Sequence, residues 1–175
     1  MTIVCAYQPP GSPKVWMASD SQLIGGDFIY QGTQKKIFRC GDWLVGASGS
    51  PRFNERLLEP PRVWDDVRQI RDDLFAYAKE IGAESGEDKG YPTSFAFQFL
   101  AGRRSQLFGI ASTGAIFRSD WGFLAIGSGQ PYAYGAAWAL KGGMIGPANI
   151  VRDAVLAAIA MSCECGGEIQ IETVG

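Results

Sequence analysis

Two pairs of β-prone runs, each joined by a turn, open the chain and constrain its fold more than any other feature. Residues 2 to 8 and 14 to 20 have strand composition, and PPGSP between them cannot continue a ladder because proline has no N–H to donate. Residues 34 to 39 and 43 to 48 form the second pair, around a Cys-Gly-Asp turn. The sequence therefore predicts two β-hairpins before any helix.

A helix is predicted after the hairpins. Apolar residues recur every three or four positions from Val63 to Ile81, with charged residues largely between them, and Gly82 marks the end. The next segment, SGEDKGYP, is predicted to be a solvated loop.

The second half of the chain repeats this alternation of strands and helices. Strands are predicted for TSFAFQFLAG, SQLFGIAS, AIFRS, WGFLAIGS and the final EIQIETV. Helices are predicted for GQPYAYGAAWALKGG and GPANIVRDAVLAAIAMSCECGG, the second apolar on most of its circumference and therefore buried. Both faces of each sheet must be covered, so we expect an α+β fold, a four-layer αββα sandwich of two antiparallel sheets flanked by helices. We expect residues 1–175 to form a single domain.

Composition excludes several classes of function. Sixteen basic and eighteen acidic side chains nearly cancel in charge, so the protein has no general electrostatic field to attract nucleic acid or an anionic membrane. No leader pattern and no run of about eighteen apolar residues is present, so we expect a cytoplasmic protein. With no histidine, imidazole cannot serve as a base or ligand, and the Cys-Glu-Cys spacing of Cys163 and Cys165 is not that of a zinc site. We therefore expect neither metal nor cofactor.

Thr2 is the sharpest chemical feature. Threonine is small enough to permit removal of Met1, which would place a hydroxyl and a free α-amine on one residue. That amine has a reference pKa of about 7.7 to 8.0, so much of it can act as a base near neutrality. The alternative is that Thr2 merely starts a strand.

Asp20 and Lys36 could complete such a site. A lysine beside the threonine hydroxyl would favour its alkoxide and keep the α-amine neutral, while the aspartate would fix the lysine by a charge-assisted hydrogen bond. Either residue alone would more often be an ordinary strand-end or surface charge.

Several motifs together resemble the proteasome β-subunit family of N-terminal-nucleophile hydrolases, nearest to the bacterial HslV-type peptidases and their short relatives. They are Thr-Ile-Val at the start, Val-Trp-Met-Ala-Ser-Asp, the Lys-Lys pair, Gly-Ala-Ser-Gly-Ser and Ala-Ile-Gly-Ser-Gly-Gln-Pro-Tyr-Ala. The resemblance implies that Lys36, with the family spacing from Asp20, is the functional lysine rather than Lys35. It also implies that the Gly49 N–H forms the oxyanion hole and that Ser128 hydrogen-bonds the α-amine.

The resemblance further implies a pocket for the residue before the cleaved bond, formed by Leu23, Gln34, Phe38 and Ala47. These positions predict a mostly apolar pocket. The expected activity is that of a threonine endopeptidase acting on peptides or unfolded proteins within a self-compartmentalising homo-oligomer, either a ring or an open ring-like assembly. A separate ATPase unfoldase is a possible partner of such an assembly.

Three features depart from the family pattern and keep alternatives open. Ser162 and Cys165 stand where the family has aspartate and serine. The first hairpin is longer by about two residues counted from Thr2, a difference that the PPGSP loop can absorb. Matching Thr-Ile-Val to a Thr-Thr-Ile-Val start would put Met1 at the nucleophile position, and a thioether cannot attack an amide. The alternatives are thus a catalytically silent scaffold subunit of the same fold, or a small-molecule amidase.

Overall fold

The computed structural model describes residues 2–25, 28–31, 34–59, 63–82 and 97–175, and the SGEDKGYP segment lies outside them. Within these residues the chain begins with the strands β1 (Val4–Tyr7), β2 (Val15–Ser19), β3 (Gln22–Gly25), β4 (Phe28–Gln31), β5 (Ile37–Cys40) and β6 (Trp43–Ser48). The helices α1 (Arg52–Leu58) and α2 (Val67–Glu80) follow. Next come β7 (Gln98–Arg103), β8 (Gln106–Ile110), β9 (Ile116–Phe117) and β10 (Phe123–Ile126). The last elements are α3 (Gln130–Leu140), α4 (Pro147–Met161) and β11 (Gln170–Val174).

Two antiparallel sheets form the centre of the fold. The first has the order β10-β1-β2-β11, so β1 is a central strand, with Val4 opposite Ser19 on one side and Ile126 on the other. The second runs β5-β6-β7-β8-β9 in chain order. Both predicted hairpins, β1–β2 and β5–β6, are confirmed.

Alternation along the strands divides the core into three layers of side chains. In β1, Val4 and Ala6 face the space between the sheets, whereas Cys5 faces α3 and α4, because successive side chains on a strand point to opposite faces. The helices α1 and α2 cover the outer face of the second sheet through Phe53, Ile70 and Leu74. The predicted four-layer αββα sandwich is confirmed.

A glycine permits the close approach of the two sheets. A Cβ atom on Gly46 of β6 would lie 2.6 Å from Val4 Cγ1 and 2.9 Å from Met17 Sδ, closer than packed side chains allow. The absence of a side chain at Gly46 therefore lets β6 pass directly over β1 and β2.

Some elements differ from the sequence predictions. The β3–β4 hairpin and the seven-residue α1 were not predicted, because their short, glycine-rich or polar sequences carry no periodicity. Helix α2 begins at Val67 rather than Val63, since the Asp66 side chain caps it by accepting the N–H groups of Arg68 and Gln69.

The prediction that the last helix is buried on most of its circumference is wrong. Leu156 is 47% exposed and Met161 is 65% exposed, so α4 buries one stripe against the first sheet. No helix among the described residues is long and apolar enough to cross a lipid bilayer.

Candidate active site

Asp20 is the centre of a buried hydrogen-bond network at one end of the first sheet. It follows β2 directly and is 0% exposed. Its Oδ1 accepts from Thr2 Oγ1 at 2.6 Å, from Ile3 N at 3.0 Å and from Lys36 Nζ at 2.6 Å. Its Oδ2 accepts from Gly166 N at 3.1 Å. Four donors therefore converge on the two oxygens of one side chain.

Thr2 enters this network at the beginning of the central strand. Its side chain and main chain are 4% exposed. Its carbonyl accepts from Gly129 N at 3.3 Å and from Ser128 Oγ at 3.4 Å. Gly127 has a φ of 93°, and a Cβ atom there would overlap Thr2 O. Thr2 is thus held between Asp20 on one side and the turn after β10 on the other.

The Lys36 side chain is held by the hydrogen bonds of its terminal ammonium group. Its Nζ donates to Asp20 Oδ1 and, at 2.7 Å, to Gln22 O, and the residue is 5% exposed. Burial lowers the pKa of the Lys36 ammonium below its usual value, and the Asp20 carboxylate opposes that shift. The neighbouring Lys35 is exposed, because adjacent side chains of an extended segment point in opposite directions.

A small pocket with a volume of about 40 Å³ adjoins Thr2. The predicted residues Leu23, Gln34, Ala47 and Gly49 all line it. The predicted Phe38 does not: it is 2% exposed and packs in the core under α1 and α2.

Sequence reasoning missed several residues of the pocket, notably Asn54 on α1. Asn54 is 9% exposed, yet its side-chain amide has no hydrogen-bond partner among the described residues. Pro51 and Gln22 also line the pocket. No signal in the sequence could have found Asn54, because α1 is a seven-residue helix without a periodic pattern.

The two residues that depart from the family pattern lie beside this site. Cys165 N donates to Ser162 O at 3.1 Å, and Ser128 Oγ donates to the Thr2 carbonyl at 3.4 Å. Burial raises the pKa of Cys165, and the Asp20 charge adds to the rise. Cys165 is therefore a neutral thiol in this network.

Solved structures share the fold of this chain. No protein-family model matches the chain. A Thiobacillus denitrificans protein called BPH superposes with a TM-score of 0.82 at 24% identity, covering 99% of this chain and 97% of BPH. BPH in complex with epoxomicin gives a TM-score of 0.80 at 23% identity, covering 99% of this chain and 98% of that structure.

The αββα sandwich and the HslV sequence relatives together place the chain among the proteasome-like N-terminal-nucleophile hydrolases. Sequence relatives narrow this class. The chain is 33% identical over 141 residues to the ATP-dependent protease subunit HslV of Syntrophobacter fumaroxidans, covering 79% of this chain and 76% of that protein. The chain belongs to the HslV family.

Proposed function

We propose that the chain is a threonine-type endopeptidase whose nucleophile is Thr2, exposed as the N-terminal residue when Met1 is removed. One observation carries the proposal: Asp20 Oδ1 accepts both Thr2 Oγ1 and Lys36 Nζ in a network almost closed to solvent, beside a pocket that Thr2 also lines. A buried lysine next to a hydroxyl is the environment that stabilises an alkoxide.

The relatives support peptide-bond hydrolysis over other acyl-transfer chemistry. The Syntrophobacter fumaroxidans relative is named an ATP-dependent protease subunit, and BPH is known in complex with epoxomicin. A peptidase function for this chain is consistent with both.

The proton-transfer groups of the proposed reaction all belong to the protein, and water is the second substrate. The Thr2 α-amine accepts the hydroxyl proton as Oγ1 attacks the peptide carbonyl, and the Gly49 N–H stabilises the oxyanion. The ammonium then gives its proton to the leaving amine, which leaves an ester on Thr2. Water, deprotonated by the same amine, hydrolyses the ester and restores the hydroxyl. For the first step Thr2 Oγ1 must exchange its hydrogen bond to Asp20 for one to the α-amine.

The substrate and assembly follow from the same proposal. Peptides or unfolded proteins enter a homo-oligomer, a ring or an open ring-like assembly, with the Thr2 sites facing the interior. The words "ATP-dependent" and "subunit" in the relative's name support an assembly of copies fed by an ATPase unfoldase.

The test is labelling with a peptide epoxyketone, which needs a hydroxyl and a free amine on one residue. Intact mass first establishes that Met1 is absent. We expect one adduct per chain on Thr2, with Thr2→Ser retaining labelling and Thr2→Ala losing it. Adduct formation in Thr2→Ala, or none in an assembled protein that lacks Met1, refutes the proposal.

A specific observation also favours a second candidate, a catalytically silent scaffold subunit. Thr2 is 4% exposed, and both its hydroxyl and the next N–H already bond to Asp20, as they would in a purely structural strand start. Met1 retained in protein made in cells, together with a stable oligomer that cleaves no peptide, would establish this candidate instead.

A further inference from the structure

The side chain of Gln170 joins the outer strand of the first sheet to the segment that carries Lys36. Gln170 is the first residue of β11 and pairs with Ser19 of β2. Its Oε1 accepts from Lys36 N at 3.2 Å and from Ser19 Oγ at 3.4 Å. Its Nε2 donates to Gln34 O at 3.1 Å. One carboxamide thus bonds an N–H and a C=O of the same short segment.

This pair of bonds resembles the pairing made by a neighbouring strand. A carboxamide carries the same donor and acceptor as a peptide group, and bonding to the N–H of one residue and the C=O two residues before it is the pattern of a β-ladder. Residues 34–36 precede β5 and are not themselves in a strand. Lys36 O also accepts from Ala47 N of β6 at 3.0 Å. The segment is therefore bonded both to β6 and to Gln170.

The bonds fix the direction of two side chains that face the candidate site. With the backbone held extended, Gln34 and Lys36 point to the same side and Lys35 to the other. Lys36 Nζ then meets Asp20, while Gln34 lines the pocket beside Thr2.

We propose that Gln170 is a positioning residue, whose carboxamide holds the Gln34–Lys36 segment extended so that Lys36 reaches Asp20 and Gln34 forms the pocket wall. The catalytic consequence of this inference rests on the proposed function of Thr2. The effect on the backbone of Lys36 does not.

The test compares Gln170→Met and Gln170→Glu with a matched control. Methionine keeps the length of the side chain and removes both hydrogen bonds. Glutamate at neutral pH keeps an acceptor for Lys36 N but cannot donate to Gln34 O. The control is Glu172→Gln, since Glu172 lies two residues along β11 and only approaches Arg39, at 3.8 Å, in a pair that is half exposed. Thermal unfolding shows that each variant is folded.

Two readouts separate this inference from the proposed function. The first is amide hydrogen exchange of a peptide that includes Lys36. We expect it to quicken about tenfold in Gln170→Met and to stay unchanged in Glu172→Gln, because the amide loses its acceptor. The second is the rate of epoxyketone labelling at Thr2, expected to fall by about tenfold in Gln170→Met while Glu172→Gln labels like the wild type.

Rescue by protonation gives a further arm. In Gln170→Glu, the introduced carboxyl group can donate to Gln34 O again once it is protonated. The labelling rate of this variant relative to wild type should therefore recover as the pH falls toward the pKa of glutamate. Unchanged Lys36 exchange in Gln170→Met overturns the inference. The inference is also overturned if Lys36 exchange quickens in Gln170→Met but Thr2 is labelled at the wild-type rate, and Gln170→Glu shows no recovery of labelling at low pH. If the wild type is not labelled at all, the proposed function fails, and the exchange result alone decides whether Gln170 positions Lys36.

Discussion

Lys36 Nζ lies 2.6 Å from Asp20 Oδ1, with only 6% of the lysine side chain and none of the aspartate side chain exposed. A buried ion pair is balanced only while both partners are present, because removing one leaves an uncompensated charge in a medium of low polarity. The pair is therefore a sensitive place to test the site.

Lys36→Ala should lose peptidase activity by on the order of a hundredfold or more, because it removes the charge that stabilises the Thr2 alkoxide. It should also lower the free energy of unfolding by about 3 to 5 kcal/mol, since Asp20 is left unpaired. Lys35→Ala, which changes an exposed side chain, is the control and should be near wild type in both. Peptide hydrolysis and urea unfolding measure the two effects. Equal losses in the two variants would show that the assignment of Lys36 is wrong.

Fluorogenic peptides ending in leucine, tyrosine or phenylalanine should be cut faster than those ending in arginine. Leu23, Ile24 and Ala47 give the pocket an apolar wall, and full burial of an apolar side chain contributes about 1.5 to 3 kcal/mol. Asp20 is already paired with Lys36, and the described residues that line the pocket include no carboxylate that could pair with a substrate cation. The measurement is kcat/KM on the assembled protein lacking Met1. A preference for arginine would contradict the pocket assignment and leave the Thr2 chemistry untouched.

Asn54→Asp should weaken the preference for apolar peptides over arginine peptides. The Asn54 amide lines the pocket without a hydrogen-bond partner among the described residues, so a carboxylate at the same place can pair with a substrate cation. We expect the ratio of kcat/KM for arginine over leucine peptides to rise about tenfold, the size of one charged hydrogen bond. Asn54→Leu, of similar shape but without charge, is the control and should not raise the ratio. No change in Asn54→Asp would place the substrate side chain elsewhere.

Gly127→Ala should displace the main chain of Thr2. The added methyl would overlap Thr2 O, and the φ of 93° disfavours any residue with a Cβ atom. We expect a loss of at least about 1 to 3 kcal/mol in the free energy of unfolding, together with slower epoxyketone labelling. Gly135→Ala on α3 is the matched control, because nothing lies within 4 Å of its Cβ position. Alanine there should stabilise the helix by up to about 1 kcal/mol. Equal stability of the two variants would contradict the contact.

Cys5 should make stability fall at alkaline pH. The thiol is 0% exposed and donates to Val151 O at 3.4 Å, and burial raises the pKa of Cys5. The folded state therefore keeps a proton that the unfolded state loses above about pH 8.5. The stability from this neutral thiol is fully present below that pH and falls by about 1.4 kcal/mol for each pH unit above it.

Urea unfolding from pH 8 to 10 measures this slope. In Cys5→Ala the free energy of unfolding should fall less steeply with pH, by about one proton, while Cys165, whose pKa burial also raises, contributes equally to both proteins. Parallel curves for wild type and Cys5→Ala would contradict the prediction.

The sequence predicted the layers of this fold because hairpins and amphipathic helices depend on local patterns. The convergence of Thr2, Asp20 and Lys36 was predicted from the chemistry of the three groups and from the resemblance to a known family. Gly166 and Gln170 were not found, since their bonds to Asp20 and to residues 34–36 join positions far apart in the chain with no periodic signal. Phe38 was carried over by resemblance, but a large aromatic side chain at this place packs in the core under the helices.

The position of β1 in the first sheet has a consequence for the timing of folding. β1 is synthesised before its partner β10 and before Gly166, whose N–H closes the Asp20 network. Such long-range pairing forms late, because the intervening chain must first be brought together. A nascent chain on the ribosome thus carries Thr2, Asp20 and Lys36 without the groups that hold them in register. If Thr2 acts as proposed, a nascent chain that still lacks β10 and Gly166 should be inert as a peptidase.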